Sequence, residues 1–137
     1  QYTDLVEPFG IDESWLDITG SMHLFGGDAR DIADELRAVV RREERLTISV
    51  GVSFNKVFAK LGSDYKKPDA TTVISRENWR EIVTPLPVGD LLFVGRSAQD
   101  LLRKANQEAT KPEEWLSDQV YLYQRGSDEI TLAELEN

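Results

Sequence analysis

Three acidic residues fall within six positions near the start of the sequence. Asp12 and Glu13 are adjacent, and Asp17 follows four positions later. Neighbouring acids on a regular strand point to opposite faces, but Pro8 and Gly10 favour a turn here, in which the two carboxylates can converge. Converging carboxylates repel each other unless a cation offsets their charge, which makes a divalent-metal site the functional interpretation. A solvated acidic hairpin tip is the alternative, and on spacing alone it is the commoner outcome.

A second group of residues is basic. Lys56, Lys60, Ser63 and Lys67 share one stripe if the segment is helical, because the steps between them are four, three and four residues. Such a stripe near a helix N-terminus can hold phosphates through charge and donated hydrogen bonds. A solvated helix face is the alternative and the commoner case for a lone amphipathic helix. Metal-binding acids together with phosphate-binding lysines are what phosphoryl transfer requires.

A third candidate is the turn at Gly95 and Arg96, which lies between two short predicted helices. Backbone N–H groups in such a turn can contact a nucleic-acid phosphate, and Arg96 adds charge. An ordinary turn between helices is the alternative. The three tryptophans, Trp15, Trp79 and Trp115, lie inside periodic elements and are interpreted as packing residues rather than as platforms for stacked bases.

Composition limits the chemistry. The 137 residues suffice for one compact domain, with 40% hydrophobic and 30% charged residues. The absence of cysteine excludes disulfides, zinc–thiolate sites and cysteine nucleophiles, and there is one histidine, so a bound metal would need oxygen ligands. No apolar run approaches the roughly 20 residues that cross a bilayer, so we expect a cytoplasmic protein without a membrane partner.

The net charge of −9 argues at face value against binding to nucleic acid. Lysines are nevertheless concentrated at 56–67, whereas acids dominate at 4–35 and after 107. The whole-chain charge therefore hides a polarised distribution.

The elements that must position these residues alternate between the two periodicities. Extended segments are predicted at 2–8, 14–19, 46–53 and 71–75. Helices are predicted at 28–42 with Asp28 as N-cap, at 55–65 capped by Ser53 or Asn55, and at 77–82 capped by Ser75. This order, which opens with a hairpin, favours an α+β sandwich of the ferredoxin-like type. A proline-rich linker at 84–88 precedes a helix at 97–104, and further helical stretches are predicted at 112–119 and 132–136.

Two motifs resemble one known family. VEPFGIDESWLDIT at 6–19 and LTISVGVSFNKVFAKLGSDYKKPDA at 46–70 are similar to the palm of the Y-family DNA polymerases, the DinB/ImpB/MucB/SamB group, and the similarity covers residues 2 to about 104. The resemblance implies an α+β fold: a ferredoxin-like palm over 1–83, with an antiparallel-containing sheet and helices on one face. A small helical thumb portion with a helix-hairpin-helix-like turn would follow over 84–137. The palm would be incomplete at its N-terminus.

The same resemblance implies an activity and a set of site residues. The expected reaction is template-directed DNA synthesis past lesions by two-metal nucleotidyl transfer. Asp12 and Glu13 would bind two Mg²⁺ ions together with a third carboxylate upstream of Gln1, so the chain is expected to begin inside a longer protein and to be inactive by itself. Lys67 would contact the triphosphate of the incoming nucleotide. The residues expected to contact primer–template DNA are Lys56, Lys60, Gly95 and Arg96.

The resemblance also leaves open points. A sliding clamp is a further expected partner, through a C-terminal region. Phe93 stands where the family carries glycine, which puts the grip of the thumb turn in question. Asp17 is interpreted as structural, because it lies in the returning strand. A non-catalytic palm-like accessory or DNA-binding module is the alternative function, and a nucleotide cyclase of similar fold is a second one.

Overall fold

The computed structural model describes the backbone of residues 1–109 and the side chains of residues 1–106. Four strands and four α-helices lie within this range. In chain order they are β1 (Val6–Phe9), β2 (Glu13–Leu16), α1 (Ala29–Glu44), β3 (Val50–Ser53), α2 (Lys56–Tyr65), β4 (Thr71–Ile74), α3 (Trp79–Val83) and α4 (Arg96–Ala109). Short 3₁₀ helices occur at Met22–Phe25 and Val88–Asp90. The predicted α+β class is confirmed, whereas the helices predicted at 112–119 and 132–136, and Trp115, lie outside the described residues.

The described strands form two two-stranded sheets. β1 and β2 pair antiparallel, with Phe9 opposite Glu13 and Val6 opposite Leu16. β3 and β4 pair parallel, and α2 makes the crossover that a parallel pair requires. The hairpin therefore carries the candidate acids, and the β3–α2–β4 unit carries the candidate lysines.

Three strand predictions were wrong in their bounds: the strands predicted at 2–8, 14–19 and 46–53 are observed as Val6–Phe9, Glu13–Leu16 and Val50–Ser53. Pro8 lies inside β1, opposite Ser14, and the turn is confined to residues 10–12, where Gly10 has φ 75°. An edge strand tolerates proline because the missing N–H does not interrupt a ladder on its open side. The segment predicted as a strand at 46–53 begins only at Val50, because its partner β4 begins opposite it, at Thr71.

The chain divides into two compact units, Gln1–Ser75 and a second one that starts at Arg76. In the first unit, α1 and α2 both pack on β3 and β4, and the buried apolar residues include Ile32, Leu61 and Ile74. In the second unit, α4 packs on the 3₁₀ helix at Val88–Asp90, and Val83 and Val88 are buried. Within residues 1–109, no helix has both the length and the apolar character to span a membrane.

Caps fix where the two long helices of the first unit begin. The Asp28 carboxylate accepts a hydrogen bond from the Arg30 N–H at 2.8 Å, as predicted. The Asn55 amide oxygen accepts one from the Phe58 N–H at 2.8 Å, which decides between the two predicted caps of α2, while Ser53 donates to the Ile74 carbonyl instead. Ser75 does not cap α3, because that helix begins later, after Asn78.

Replacing Asn55 with alanine is expected to destabilise the protein by about 1 kcal/mol, because the first turn of α2 loses the acceptor of its Phe58 N–H. Urea denaturation measures the change. Asn55→Ser keeps a side-chain oxygen at the cap and is expected to retain most of the stability. Equal losses in the two variants would contradict the capping role.

Candidate active site

The β1–β2 hairpin packs against the first turn of α2. The Trp15 indole N–H donates a hydrogen bond to the Lys56 carbonyl at 3.1 Å, and the Lys56 ammonium lies 5.5 Å from the centroid of the Trp15 ring. The ring of Phe9 packs on Trp15 with 4.7 Å between centroids, and Lys56 also forms an ion pair with Glu7 of β1. Trp15 is thus a packing residue, and it brings the acidic hairpin next to the lysine-bearing helix.

The two candidate metal ligands lie at the end of this hairpin. Asp12 is the last residue of the turn and is exposed to solvent, whereas Glu13 begins β2 and is half-buried. A Glu13 carboxylate oxygen lies 2.8 Å from the Lys60 ammonium on α2. The hairpin tip therefore carries both acids, and Glu13 is already connected to the basic stripe.

Asp17 has a structural role, as the sequence indicated. Its carboxylate accepts a hydrogen bond from the Thr19 N–H at 2.9 Å, and its backbone carbonyl accepts one from the Thr3 hydroxyl at 2.7 Å. The hydrogen bonds from Thr19 hold the pKa of the Asp17 carboxyl below its usual range. These contacts connect the end of the hairpin to Thr3, which precedes β1. The Asp17 carboxylate and carbonyl are therefore used in structural hydrogen bonds.

A chain of alternating charges links the hairpin tip to Lys67. The Lys60 ammonium lies between Glu13 and Asp64, at 2.8 and 2.5 Å, and the second oxygen of Asp64 lies 2.5 Å from the Lys67 ammonium. The side chain of Lys60 is 20% exposed, whereas that of Lys67 is 55% exposed. We call this set, Glu13, Lys60, Asp64 and Lys67, the charge chain. It brings together three residues that the sequence predicted.

Asp64 is the member of the charge chain that was not predicted from the sequence. Its signal was the spacing, since Asp64 follows Lys60 by four positions and precedes Lys67 by three. Residues four apart are neighbours on a helical surface, which accounts for the pair of Asp64 with Lys60, whereas Lys67 lies beyond the end of α2 at Tyr65. The sequence alone did not show that one carboxylate serves both lysines.

Pairing within the charge chain keeps Lys60 and Asp64 ionised. Burial is the largest single effect on the pKa of Lys60 and lowers it, but the hydrogen bonds with Asp64 and Glu13 together raise the pKa above its usual value. Burial is likewise the largest effect on the pKa of Asp64 and raises it, yet the hydrogen bonds from Lys60 and Lys67 leave that pKa below its usual value. Both groups are therefore charged at neutral pH.

The turn that follows Lys67 is fastened to α1. The Asp69 carboxylate lies 3.0 Å from Arg37 and 3.0 Å from Arg41, and the Asp69 carbonyl accepts a hydrogen bond from Arg37. Asp69 has φ 53°, in the left-handed region that Asp tolerates better than most residues. This contact was not predicted from the sequence, and it fixes the backbone next to Lys67 while leaving the lysine side chain exposed.

The predicted thumb turn belongs to the second compact unit. Gly95 and Arg96 are exposed, α4 begins at Arg96, and the Gly95 carbonyl accepts the hydrogen bond of the Gln99 N–H at 3.0 Å. Phe93, for which the resemblance implied a glycine, has φ 70°. That is a conformation that glycine adopts readily, so the backbone here keeps a glycine-like path despite the side chain.

The acids at the hairpin tip suit a hard cation in part. Mg²⁺ prefers oxygen ligands and is commonly held by one or two carboxylates, with waters and substrate phosphates completing the shell. Asp12 is open to solvent, and Glu13 uses one carboxylate oxygen for Lys60. Within residues 1–109, no group of three or more potential metal-ligating side chains occurs. These two carboxylates alone therefore do not make a complete Mg²⁺ site.

Comparisons with known proteins bear on the family. Residues 1–64 match the model of the impB/mucB/samB family. DNA polymerase IV of Acetivibrio thermocellus is 56% identical over 101 residues, which are 74% of this chain and 25% of that protein. DNA polymerase IV of Ectopseudomonas mendocina is 44% identical over 104 residues, which are 76% of this chain and 29% of that protein. The chain thus spans between a quarter and a third of the length of these curated relatives.

Solved structures give the same result. The crystal structure of DinB from Sulfolobus solfataricus is similar, with a TM-score of 0.63 and 25% identity over 82% of this chain and 36% of that one. A post-insertion binary complex of Dbh DNA polymerase matches with a TM-score of 0.61 and 26% identity, over 75% of this chain and 33% of that one. The predicted resemblance is confirmed: residues 1–64 match the impB/mucB/samB family model, and the chain is similar to curated DNA polymerase IV proteins and to solved Y-family DNA polymerases.

Proposed function

We propose that this chain is part of a DNA polymerase that extends a primer past template lesions by nucleotidyl transfer. Two curated relatives named DNA polymerase IV, at 56% and 44% identity, support the reaction class. The observation that carries the proposal is the charge chain, because it connects an acidic hairpin tip to an exposed lysine through direct ion pairs of 2.5 to 2.8 Å. The acids proposed to hold metal are thereby connected to the lysine proposed to hold phosphate, as phosphoryl transfer would require.

Asp12 and Glu13 are proposed to hold Mg²⁺ in part. Bound there, two ions would lower the pKa of the primer 3′-hydroxyl and offset the charge of the triphosphate. Glu13 is aimed by its ion pair with Lys60, and Asp12 extends from the turn into solvent. The Glu13 side chain would thus already be oriented before a metal binds, whereas the exposed Asp12 side chain could change its rotamer.

The three lysines are proposed to have different roles in the reaction. Lys67 is 55% exposed and would donate to the triphosphate oxygens, where charge develops during transfer. Lys56 is 59% exposed at the start of α2 and would contact DNA phosphate. Lys60, at 20% exposed, directs its ammonium at two carboxylates, so its contribution near the primer would be made chiefly by orienting Glu13.

The palm is proposed to cover 1–83 and the thumb to begin at 84. The first compact unit ends at Ser75, eight positions before that boundary, and it contains every member of the charge chain. Gly95 and Arg96, at the start of α4, would contact duplex phosphates through backbone N–H groups and the guanidinium. A sliding clamp as partner and a cytoplasmic location stay predictions from the sequence.

Primer extension by the complete protein tests the proposal. With Mg²⁺, deoxynucleotides and a primer on an undamaged or abasic-site template, we expect extension on both templates, and none with EDTA. A non-catalytic palm-like module would bind the same primer–template without lengthening it. DNA binding without any extension on either template would therefore refute the polymerase and favour the module.

A further inference from the structure

One carboxylate pairs with both Lys60 and Lys67. Asp64 presents one oxygen to Lys60 and the other to Lys67, each at 2.5 Å. Lys60 has a second carboxylate partner in Glu13, whereas Lys67 pairs with Asp64 alone within the described residues. The two lysines are therefore held to different degrees, and Lys67 is the more weakly held of the two.

The charges of the charge chain cancel. Glu13 and Asp64 contribute two negative charges, and Lys60 and Lys67 contribute two positive ones. Lys67 thus does not present a free positive charge to a ligand, because Asp64 already neutralises it. An exposed ion pair of this kind is weak, so a polyphosphate with several negative charges can take the ammonium from one carboxylate.

We propose that Asp64 is the resident counter-anion of Lys67. It holds the ammonium beside α2 when no nucleotide is bound, and the triphosphate displaces it. This inference rests on the proposed function, in which Lys67 receives the triphosphate. Asp64 acts through Lys67 and not on the reacting atoms, which makes it a positioning residue.

The counter-anion role predicts that removing the charge of Asp64 strengthens phosphate binding. For Asp64→Asn, titration with sodium tripolyphosphate in EDTA, followed by phosphorus NMR, should show an affinity about two- to fivefold higher than that of the unchanged protein. A purely structural role predicts the opposite sign, since losing pairs to Lys60 and Lys67 would loosen the helix end and leave binding unchanged or weaker.

Two further variants isolate the pair. In Asp64→Asn combined with Lys67→Gln, the gain should vanish relative to Lys67→Gln alone, because the competing partner is absent. Glu43→Gln is the matched control: it removes the same charge from an exposed pair with Arg42 on α1 and should produce no gain. A gain that persists without Lys67, or that Glu43→Gln reproduces, would show a general charge effect and overturn the proposal.

Folding and function are checked separately. Circular dichroism verifies that Asp64→Asn is folded, and Asp64→Ser makes the same charge change should the asparagine variant unfold. Unchanged or weaker binding by a folded variant overturns the proposal. If the complete protein fails to extend primers while the tripolyphosphate gain appears, the polymerase proposal fails and the counter-anion role stands. If primers are extended and the gain is absent, the polymerase proposal stands and the counter-anion role fails.

Discussion

Alanine at Asp12 or at Glu13 is expected to abolish primer extension by the complete protein while leaving it folded. If the two acids hold the metal as proposed, losing one carboxylate removes several kcal/mol of transition-state stabilisation, which corresponds to a rate loss of about a thousandfold or more. The fold should survive, since Asp12 is exposed in a turn, and Lys60 keeps its ion pair with Asp64 when Glu13 is replaced.

Single-turnover primer extension with Mg²⁺ measures the rate, and thermal unfolding checks the fold. Glu7→Gln is the matched control, because Glu7 lies on the same hairpin and also forms an ion pair with a lysine of α2, yet it lies away from the tip. We expect its extension rate to stay near that of the unchanged protein. Extension retained by Asp12→Ala or Glu13→Ala would refute the metal assignment.

Helices were the part of the fold that the sequence predicted best. The predicted helix at 55–65 is observed as Lys56–Tyr65, and the one at 28–42 as Ala29–Glu44. Both have a periodic apolar face and a capping side chain, Asn55 and Asp28, at the start. Such signals are local, because the residues that decide them lie within a few positions of each other.

The ends of the strands could not be predicted from local sequence signals. Neither could the packing of the hairpin on α2. Alternation at 46–53 predicts a strand, but how much of it pairs depends on β4, which begins about twenty positions later. The hydrogen bond from Trp15 to the Lys56 carbonyl joins residues 41 positions apart. The hydrogen bond from Arg37 to the Asp69 carbonyl joins residues 32 positions apart. No local pattern encodes such contacts, so they appear only in three dimensions.

The basic character of the lysine stripe was predicted only in part. Lysines are concentrated at 56–67, as the sequence shows, but the ammonium groups of the three in the stripe, Lys56, Lys60 and Lys67, are paired with carboxylates from the hairpin and from α2 itself. The stripe is therefore close to neutral in the fold rather than openly basic. Any polyanion that binds there must exchange partners with resident carboxylates, which is why we expect the counter-anion of Lys67 to have a measurable effect on affinity.

Replacing Gly51 with alanine is expected to destabilise the protein by about 3 kcal/mol or more, because β3 and α2 meet there backbone to backbone. A Cβ at Gly51 would lie 1.8 Å from the Ala59 carbonyl oxygen and 2.5 Å from the Ser63 nitrogen. These are backbone atoms of α2 and cannot rotate away. The opposing Gly62 is also close, since a Cβ there would lie 3.2 Å from the Gly51 Cα.

Urea denaturation of Gly51→Ala measures this cost, and Gly20→Ala is its control. A Cβ at Gly20 meets no heavy atom within 4 Å, and Gly20 does not have a positive φ, so its change should stay within about 0.5 kcal/mol. The strand–helix contact also sets the reach of Lys60 toward Glu13, because α2 carries that lysine. A folded Gly51→Ala protein with unchanged stability would show that α2 can withdraw from β3, and then close packing would not be what places the lysines beside the acids.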